Sequence, residues 1–348
     1  MTVFVIRNYI SVITAECIIR QYKISSPYAL IVDRSDVPGY ADKIRKNLNK
    51  ELWTNIDNIS MYYLSDNAYN KLREILEIKR IWKQQKKEVL KKLTKINKID
   101  SIFITYPAEN LEKIMYWYGK KHKIPLSSFE EGLSHYDSYC DKLRKKDACL
   151  KRVIRQIVYF DCKFSLKSPD DLNFSDVYCL LPNCYTRKNY TKSLFPIKPD
   201  FNNKELKEKL ISFPYDVLLI AGPFVEQKVL TELEEYNLLK SMVDFFKGKR
   251  IVLKPHPREN KEKVIKYADL LHIDLLDENL SGYAAESIVE NSNINYIGGV
   301  LSSTLVYESL LNDKVIVYSF YRSLKDKNLI FKTSYEDMCS LSNKIIFI

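Results

Sequence analysis

Short apolar runs that stop at polar or turn residues alternate along this chain with stretches of helical apolar spacing. That beat restricts the fold more than any other feature. Residues 3–6 read as a buried strand, residues 11–22 as a helix, and "YALIVDRS" at 28–35 as a second strand. "DSIFITYP" (100–107) is another strand, "LEKIMYWYGKKH" a helix, and "IPLSSFEEG" (124–132) a strand running into acidic residues. Between them, residues 68–95 carry apolar positions Leu72, Ile75, Leu76, Ile78, Trp82, Val89, Leu90 and Leu93 at the spacing of one long amphipathic helix or a helix pair. Its other face is rich in lysine.

From about residue 141 to 198 the pattern becomes irregular. "SLFPIKPDFNNKE" (193–205), with two prolines and two asparagines, is the best linker candidate. The beat then resumes: "YDVLLIAGP" (strand), "QKVLTELEEYNLLKSMVDFF" (helix), "KRIVLKPHP" (strand), "VIKYADLL" (helix), "INYIGGVLSST" (strand and Gly-Gly turn), "TLVYESLLN" (helix) and "KVIVYSF" (strand). Strands alternating with helices over short connections argue for parallel α/β layers. A chain of 348 residues divides on length into about two domains. We expect domains at 1–195 and 196–348, with a ligand cleft between them where the carboxyl ends of the strands face each other.

Charge and cysteine narrow the function. The balance of 55 Lys+Arg over 44 Asp+Glu gives +11, which suits nucleic acid, a phosphorylated donor or an anionic membrane surface without choosing among them. Seven cysteines form no C-x-x-C pair and no cluster at metal spacing, so they read as reduced structural thiols of a cytoplasmic protein. The apolar opening "MTVFVIRNYISVITAECII" is interrupted by Arg7, Asn8 and Glu16, a poor membrane span without a signal-peptide cleavage pattern. A soluble or peripheral cytoplasmic enzyme is expected.

Four motifs fall at expected strand ends. In "SSFEEGLSHY", adjacent strand residues point to opposite faces, so Glu130 and Glu131 line one cleft only if a turn starts there, which Gly132 permits. A partly desolvated carboxylate near another can have its pKa raised toward the range of a general base, whereas taken alone the motif is an ordinary solvated turn. In "KPHPRE", Pro255 and Pro257 bias Lys254 and His256 toward extended backbone. His256 is thereby pre-organised to hydrogen-bond a phosphate, with Lys254 and Arg258 adding positive potential; the plainer reading is a rigid turn. In "GGVLSSTLVYESL", Ser302, Ser303 and Thr304 stand where a turn becomes a helix, as caps or as an anion cradle. Glu286 in "GYAAESIVEN" could accept hydrogen bonds from ribose hydroxyls. Glu226 in "LLIAGPFVEQK" lies at the cleft edge, or is simply a first-turn glutamate favoured by the helix dipole.

Acidic pair with glycine, then His-Pro at a strand end, then Ser-Ser at a helix start, on two α/β halves, resembles the bacterial sialyltransferases. The scarce glycine, the Lys-Pro-His-Pro-Arg run and the length are most similar to the lipooligosaccharide and capsule type, glycosyltransferase family 52. The resemblance implies a GT-B-like α/β fold of two Rossmann-type domains facing across a deep cleft. The N-terminal domain would hold the acceptor and the C-terminal domain the nucleotide donor.

It further implies inverting transfer of sialic acid from CMP-sialic acid to a terminal sugar such as galactose of a lipid-linked or capsular glycan. No cofactor or metal would be needed, which agrees with the lack of any Asp-x-Asp. His256, with Pro257, would neutralise the departing phosphate. Ser302 and Ser303 would bind it, with Thr304, Lys254, Arg258 and Gly132 around the donor. Glu286 matches a nucleotide-binding Pro-Ala-Glu segment, with alanine here in place of proline. The base stays divided among Glu130, Glu131 and Glu226.

Departure of CMP from a tertiary anomeric carbon gives an oxocarbenium-like transition state, for which one base and charge stabilisation at the phosphate suffice. Partners are then the donor, the glycan and an anionic inner-membrane face, with no nucleic acid. The rival readings are a polyol-phosphate polymerase or another cytidine-nucleotide transferase, a related glycosyltransferase with a different donor, and a basic nonenzymatic binder whose affinity collapses with salt.

Overall fold

A computed structural model of the chain describes residues 1–34, 39–61, 72–105, 110–136, 172–187, 189–324 and 340–348, the side chains of 72–75 and 134 excepted. Cys140, Cys149, Cys162 and Cys339, and residues 141–171 of the stretch expected to be irregular, lie outside these. The chain forms two compact units, Met1–Asp200 and Phe201–Ile348.

Unit 1 runs β1 (Thr2–Ile6), α1 (Tyr9–Gln21), β2 (Pro27–Arg34), α2 (Tyr40–Asn47), β3 (Asn55–Met61), α3 (Leu72–Leu93), β4 (Ser101–Ile104), α4 (Asn110–His122), β5 (Leu126–Phe129), β6 (Phe174–Cys179) and β7 (Tyr190–Pro196). Its seven strands are all parallel, in the order β3-β2-β1-β4-β5-β6-β7. The chain winds outward from β1 through β2 to β3, then returns to β4 on the other side. The sheet therefore has its switch point between β1 and β4.

Every residue of β1 is buried, as continuous apolar strands of parallel sheets are when helices cover both faces. Phe4 anchors the centre, stacked on Phe103 at 4.4 Å and meeting Trp53 and Phe129 edge-on. This aromatic cluster fixes β1, β4 and β5 relative to one another, and hence where their carboxyl ends emerge. On α3, Ile78, Trp82, Gln85, Val89 and Leu93 form the buried stripe, while Arg80, Lys83, Lys87 and Lys91 are exposed. Leu76, expected on the apolar side, is exposed instead.

Unit 2 runs α5 (Lys204–Lys209), β8 (Val217–Ile220), α6 (Glu232–Phe245), β9 (Ile251–Lys254), α7 (Lys261–Leu271), β10 (Asp274–Leu275), α8 (Glu278–Ser281), α9 (Ala285–Glu290), β11 (Tyr296–Gly299), α10 (Ser303–Leu311), β12 (Ile316–Ser319) and β13 (Ile346–Phe347). Its sheet, also parallel, has the order β10-β9-β8-β11-β12-β13, with the switch between β8 and β11. Leu219, Leu238, Met242, Phe246 and Leu253 lie in the core between sheet and helices. Gly298 is required there: a Cβ would meet Leu219 Cδ2 at 2.7 Å and Phe246 Cε2 at 2.9 Å.

Three expectations are corrected. Strands β6 and β7 stand inside the stretch read as irregular, because consecutive polar residues, Ser175-Asp176 in β6 and Thr191-Lys192-Ser193 in β7, interrupt the apolar run of a central strand. The linker candidate at 193–205 consequently begins within β7. The helix expected from residue 227 starts at Glu232, where Thr231 and Glu234 form a capping box that fixes its first turn. Strand β3, polar on alternate positions, is an edge strand that apolar runs did not reveal. Among the described residues no helix is long and apolar enough to cross a membrane.

Candidate functional site

In unit 1 the acidic pair follows β5, beside the switch point. Gly132 has φ 143°, a region that L side chains rarely adopt, so the turn after Glu131 needs glycine. The two carboxylates diverge as strand geometry requires. Glu130 is fully buried and accepts hydrogen bonds from the Tyr136 hydroxyl and, at 2.6 Å, from the Leu180 amide. Tyr136 in turn accepts from the Leu181 amide at 2.8 Å, and burial pushes its own hydroxyl pKa well up, with the Glu130 charge acting in the same direction.

Glu131 turns toward β1. Arg7 Nη1 donates to both its oxygens, at 3.0 and 3.1 Å, while Arg7 Nε lies 3.1 Å from Oε1 of the buried Glu112 on α4. One guanidinium is thus shared by two carboxyl groups. Asn8, which caps α1 in a capping box with Ser11, donates through Nδ2 to the Glu131 carbonyl at 3.0 Å. The start of α1 is therefore bound to the acidic motif, and its dipole favours an anion there.

In unit 2, register places Lys254, Ile220 and Gly299 in one row across β9, β8 and β11. His256 and Ser302 follow the two outer strands of that row. They leave the same carboxyl edge two strand spacings apart, about 10 Å. His256 is half-buried; its Nδ1 accepts from the Arg258 amide at 3.1 Å, and its own amide donates to Glu259 Oε2. With Nδ1 acting as an acceptor, the proton of the neutral ring lies on Nε2. Burial pushes the Glu259 carboxyl up to about 8, against the His256 amide that it accepts from. Pro257 and Arg258 are exposed. Ser302 is the N-cap of α10, its hydroxyl accepting from the Thr304 amide at 3.2 Å, and Ser303 opens the helix half-exposed.

Other expected members are placed differently. Lys254 is 9% exposed and its ammonium donates to the Ser281 carbonyl at 2.9 Å, a tie within the fold. Glu286 is 2% exposed, and burial raises its pKa against the lowering effects of the Thr304 side chain and the charge of Lys254. This carboxyl, expected from the sequence to meet ribose hydroxyls, stands in the first turn of α9, and its depth was not legible in the sequence.

Glu226 accepts from the Asn260 amide at 2.9 Å and pairs with Lys263 at 3.0 Å. Burial raises its pKa, but the amide and the ammonium outweigh that and hold it below the usual carboxylate value, which makes it a poor base. Lys263 also pairs with the buried Glu235, so this group ties α6, α7 and the turn after β8 together.

Glu308, one turn into α10, is buried beside this site. Burial first, then the charge of Glu286, lifts its carboxyl to about 9, against the Asn312 amide donating at 3.0 Å. Because the folded value lies above the ordinary 4.5, the buried neutral form supports folding fully below pH 4.5 and loses that support as the pH rises toward 9. Glu308→Gln keeps the shape and cannot ionise. It is expected to match the parent stability at pH 4 and exceed it increasingly toward pH 9, read by urea unfolding at each pH; a difference constant with pH would refute this.

Arg7, Glu112, Tyr136, Lys263 and Glu259 escaped the sequence reading. Of these, only Arg7 carried a signal, as a charge directly following the first buried strand.

Comparison with known proteins supplies the family and the fold. The family model described as alpha-2,8-polysialyltransferase (POLYST) matches residues 2–320. No curated protein matches the sequence. Among solved structures, Methanocaldococcus jannaschii UDP-GlcNAc 2-epimerase in complex with UDP-GlcNAc and UDP is 15% identical, covers 100% of this chain and 89% of its own, and has a TM-score of 0.56. Phytolacca americana UGT2 complexed with UDP-2fluoro-glucose and pterostilbene is 12% identical over 99% of this chain and 94% of its own, with a TM-score of 0.48. The fold is GT-B-like, two parallel-sheet α/β domains.

Proposed function

Since this chain belongs to the alpha-2,8-polysialyltransferase family, we propose that it transfers sialic acid from CMP-sialic acid to the 8-hydroxyl of a glycan ending in sialic acid. The broader sialyltransferase assignment agrees with the sequence resemblance. The narrower lipooligosaccharide type, with a galactose acceptor, gives way in this proposal to a sialylated acceptor on a capsular or lipid-linked glycan, in keeping with the family's description.

The observation that carries the reading is the carboxyl edge of the unit 2 sheet. A histidine with its neutral proton on Nε2 and the serine-capped start of α10 leave that one edge from the strands on either side of β8. A phosphate monoester departing from the sugar gains charge, which His256 Nε2–H and the amides and dipole of α10 meet without reorganising. Ser302 and Ser303 line this position, with Arg258 adding positive potential.

For the base we propose Glu131. Glu130 is enclosed by two donors, and Glu226 is neutralised by Lys263 and Asn260. Glu131, 8% exposed, follows β5 near the switch point, and its two oxygens are oriented by Arg7, which also reaches Glu112. It would take the proton of the acceptor hydroxyl as that oxygen attacks the anomeric carbon opposite the departing CMP, which gives inversion.

The test is acceptor-dependent CMP release, with CMP-sialic acid and an oligosialic acid offered beside a galactose-terminated acceptor. Elongation of the oligosialic acid is expected; CMP release indifferent to acceptor, or no turnover, counts against the reading. The exposed cations of α3 favour a cytoplasmic enzyme held at an anionic membrane surface. Sedimentation with phosphatidylserine vesicles at low salt should bring the protein down, and its remaining in the supernatant would remove that part of the proposal.

A further inference from the structure

Between the end of β9 at Lys254 and the start of α7 at Lys261, the chain folds back on His256. The Glu259 amide donates to the His256 carbonyl at 3.0 Å, closing a turn over 256–259 with Pro257 in its second position, where a fixed φ fits. The Arg258 amide donates to His256 Nδ1 at 3.1 Å, and the His256 amide donates to Glu259 Oε2. The amide, the carbonyl and Nδ1 of His256 are thus all engaged within the turn, and Nε2 is the remaining ring nitrogen. Glu259 is half-buried, and among the described residues its carboxyl forms no hydrogen bond or ion pair besides that with the His256 amide. Lys263, in the first turn of α7, pairs with Glu226 and Glu235 instead.

The prolines do not set the ring by themselves. Each fixes its own φ and biases the residue before it toward extended backbone, but His256 keeps a broad range of ψ and the staggered wells of χ1. The Arg258 amide selects one ring orientation and one tautomer, and it reaches Nδ1 only while the turn is closed. Glu259 closes that turn twice, through its amide and through its carboxyl.

We propose that Glu259 is a positioning residue for His256, its carboxyl holding closed the turn that seats the Arg258 amide on Nδ1 and so directs Nε2–H at the departing phosphate. This rests on the donor reading given above.

The experiment uses the full chain with Glu259→Met, which keeps the length of the stem without a carboxyl oxygen, and Glu259→Gln, which keeps an acceptor oxygen at the same reach. With histidine labelled by nitrogen-15, the His256 ring is assigned by its absence in His256→Ala. At a pH where the ring is neutral, the parent should show the Nε2–H tautomer, Glu259→Met should move both nitrogens toward averaged tautomers, and Glu259→Gln should resemble the parent. In acceptor-dependent CMP release, Glu259→Met should lower kcat by about 10- to 100-fold, the cost of misplacing a reacting group by about an ångström. KM for CMP-sialic acid should change little, because the charge that His256 meets develops only as the bond breaks. Glu259→Gln should recover kcat. Joined to His256→Ala, Glu259→Met should cost nothing further, since its effect passes through the ring.

A parent-like tautomer with kcat within about twofold of the parent in folded Glu259→Met overturns the proposal, and so does a further loss on top of His256→Ala. A lowered unfolding midpoint with tautomer and kcat unchanged overturns it too, leaving Glu259 as an acid favoured by the dipole of α7. Were Glu259→Met to leave the protein unfolded, Glu259→Ala against Glu259→Gln decides by the same readings. Parent protein that turns over no CMP-sialic acid overturns the donor reading and this inference with it, and that control is read without any variant.

Discussion

His256→Ala is expected to lower acceptor-dependent CMP release by about 10²- to 10⁴-fold, the range for losing a general acid or a charge-stabilising donor. The ring is half-buried, at the end of β9 rather than in the core, so circular dichroism and the unfolding midpoint should stay near those of the parent. The backbone that presents it is held independently, by the proline on either side and by its amide donating to Glu259. His256→Gln would return a hydrogen-bond donor but no titratable group, and part of the loss should be recovered if the role is stabilising the phosphate rather than protonating it. A folded alanine variant with turnover within threefold of the parent would remove His256 from the chemistry. Binding that falls with salt and ignores this substitution would favour the basic-binder reading instead.

The second large effect concerns the base. Glu131→Gln should cost about 10²- to 10⁴-fold in kcat, because the amide keeps the volume and an acceptor for Arg7 but cannot take a proton. Glu112 would retain the guanidinium, so no charge is left stranded and the unit should stay folded. The two other glutamates give contrasting outcomes under the same assay. Glu130→Gln removes the acceptor of the Tyr136 hydroxyl and the Leu180 amide inside the unit 1 core, so it should lower the unfolding midpoint. Glu226→Gln should leave turnover within about threefold, since Lys263 keeps Glu235 as partner. If Glu226→Gln were the variant that abolished turnover in a folded protein, the base would move to unit 2.

Much of this fold was legible from residue order because parallel strands buried on both faces leave unbroken apolar runs, as in "TVFVI" and "IVLK", each closed by a polar or proline residue. Strands β3, β6 and β7 were not, for a converse reason. They lie toward the sheet edges and carry polar residues, at alternate positions in β3 and in short runs in β6 and β7, so the apolar signal fades. At the site, "EEG", "KPHP" and "SST" announced themselves as strand-end punctuation, and the divergence of Glu130 and Glu131 followed from strand geometry. The partners of those residues did not. Arg7 and Glu131 are 124 residues apart, and Glu226 reaches Lys263 across two elements.

The sequence by itself determined the alternating α/β architecture, the strand ends at which chemistry could sit, and a histidine with a backbone restricted by its prolines. These are local properties, set by periodicity of two and 3.6 and by the dihedral limits of proline and glycine. Only the tertiary structure decided which carboxyl groups remain available. It set Glu226 against Lys263, buried Glu286, and shared one guanidinium between Glu131 and Glu112. A carboxylate's proton affinity depends on burial and on charges within a few ångströms, and those neighbours are brought together by sheet order rather than by chain order.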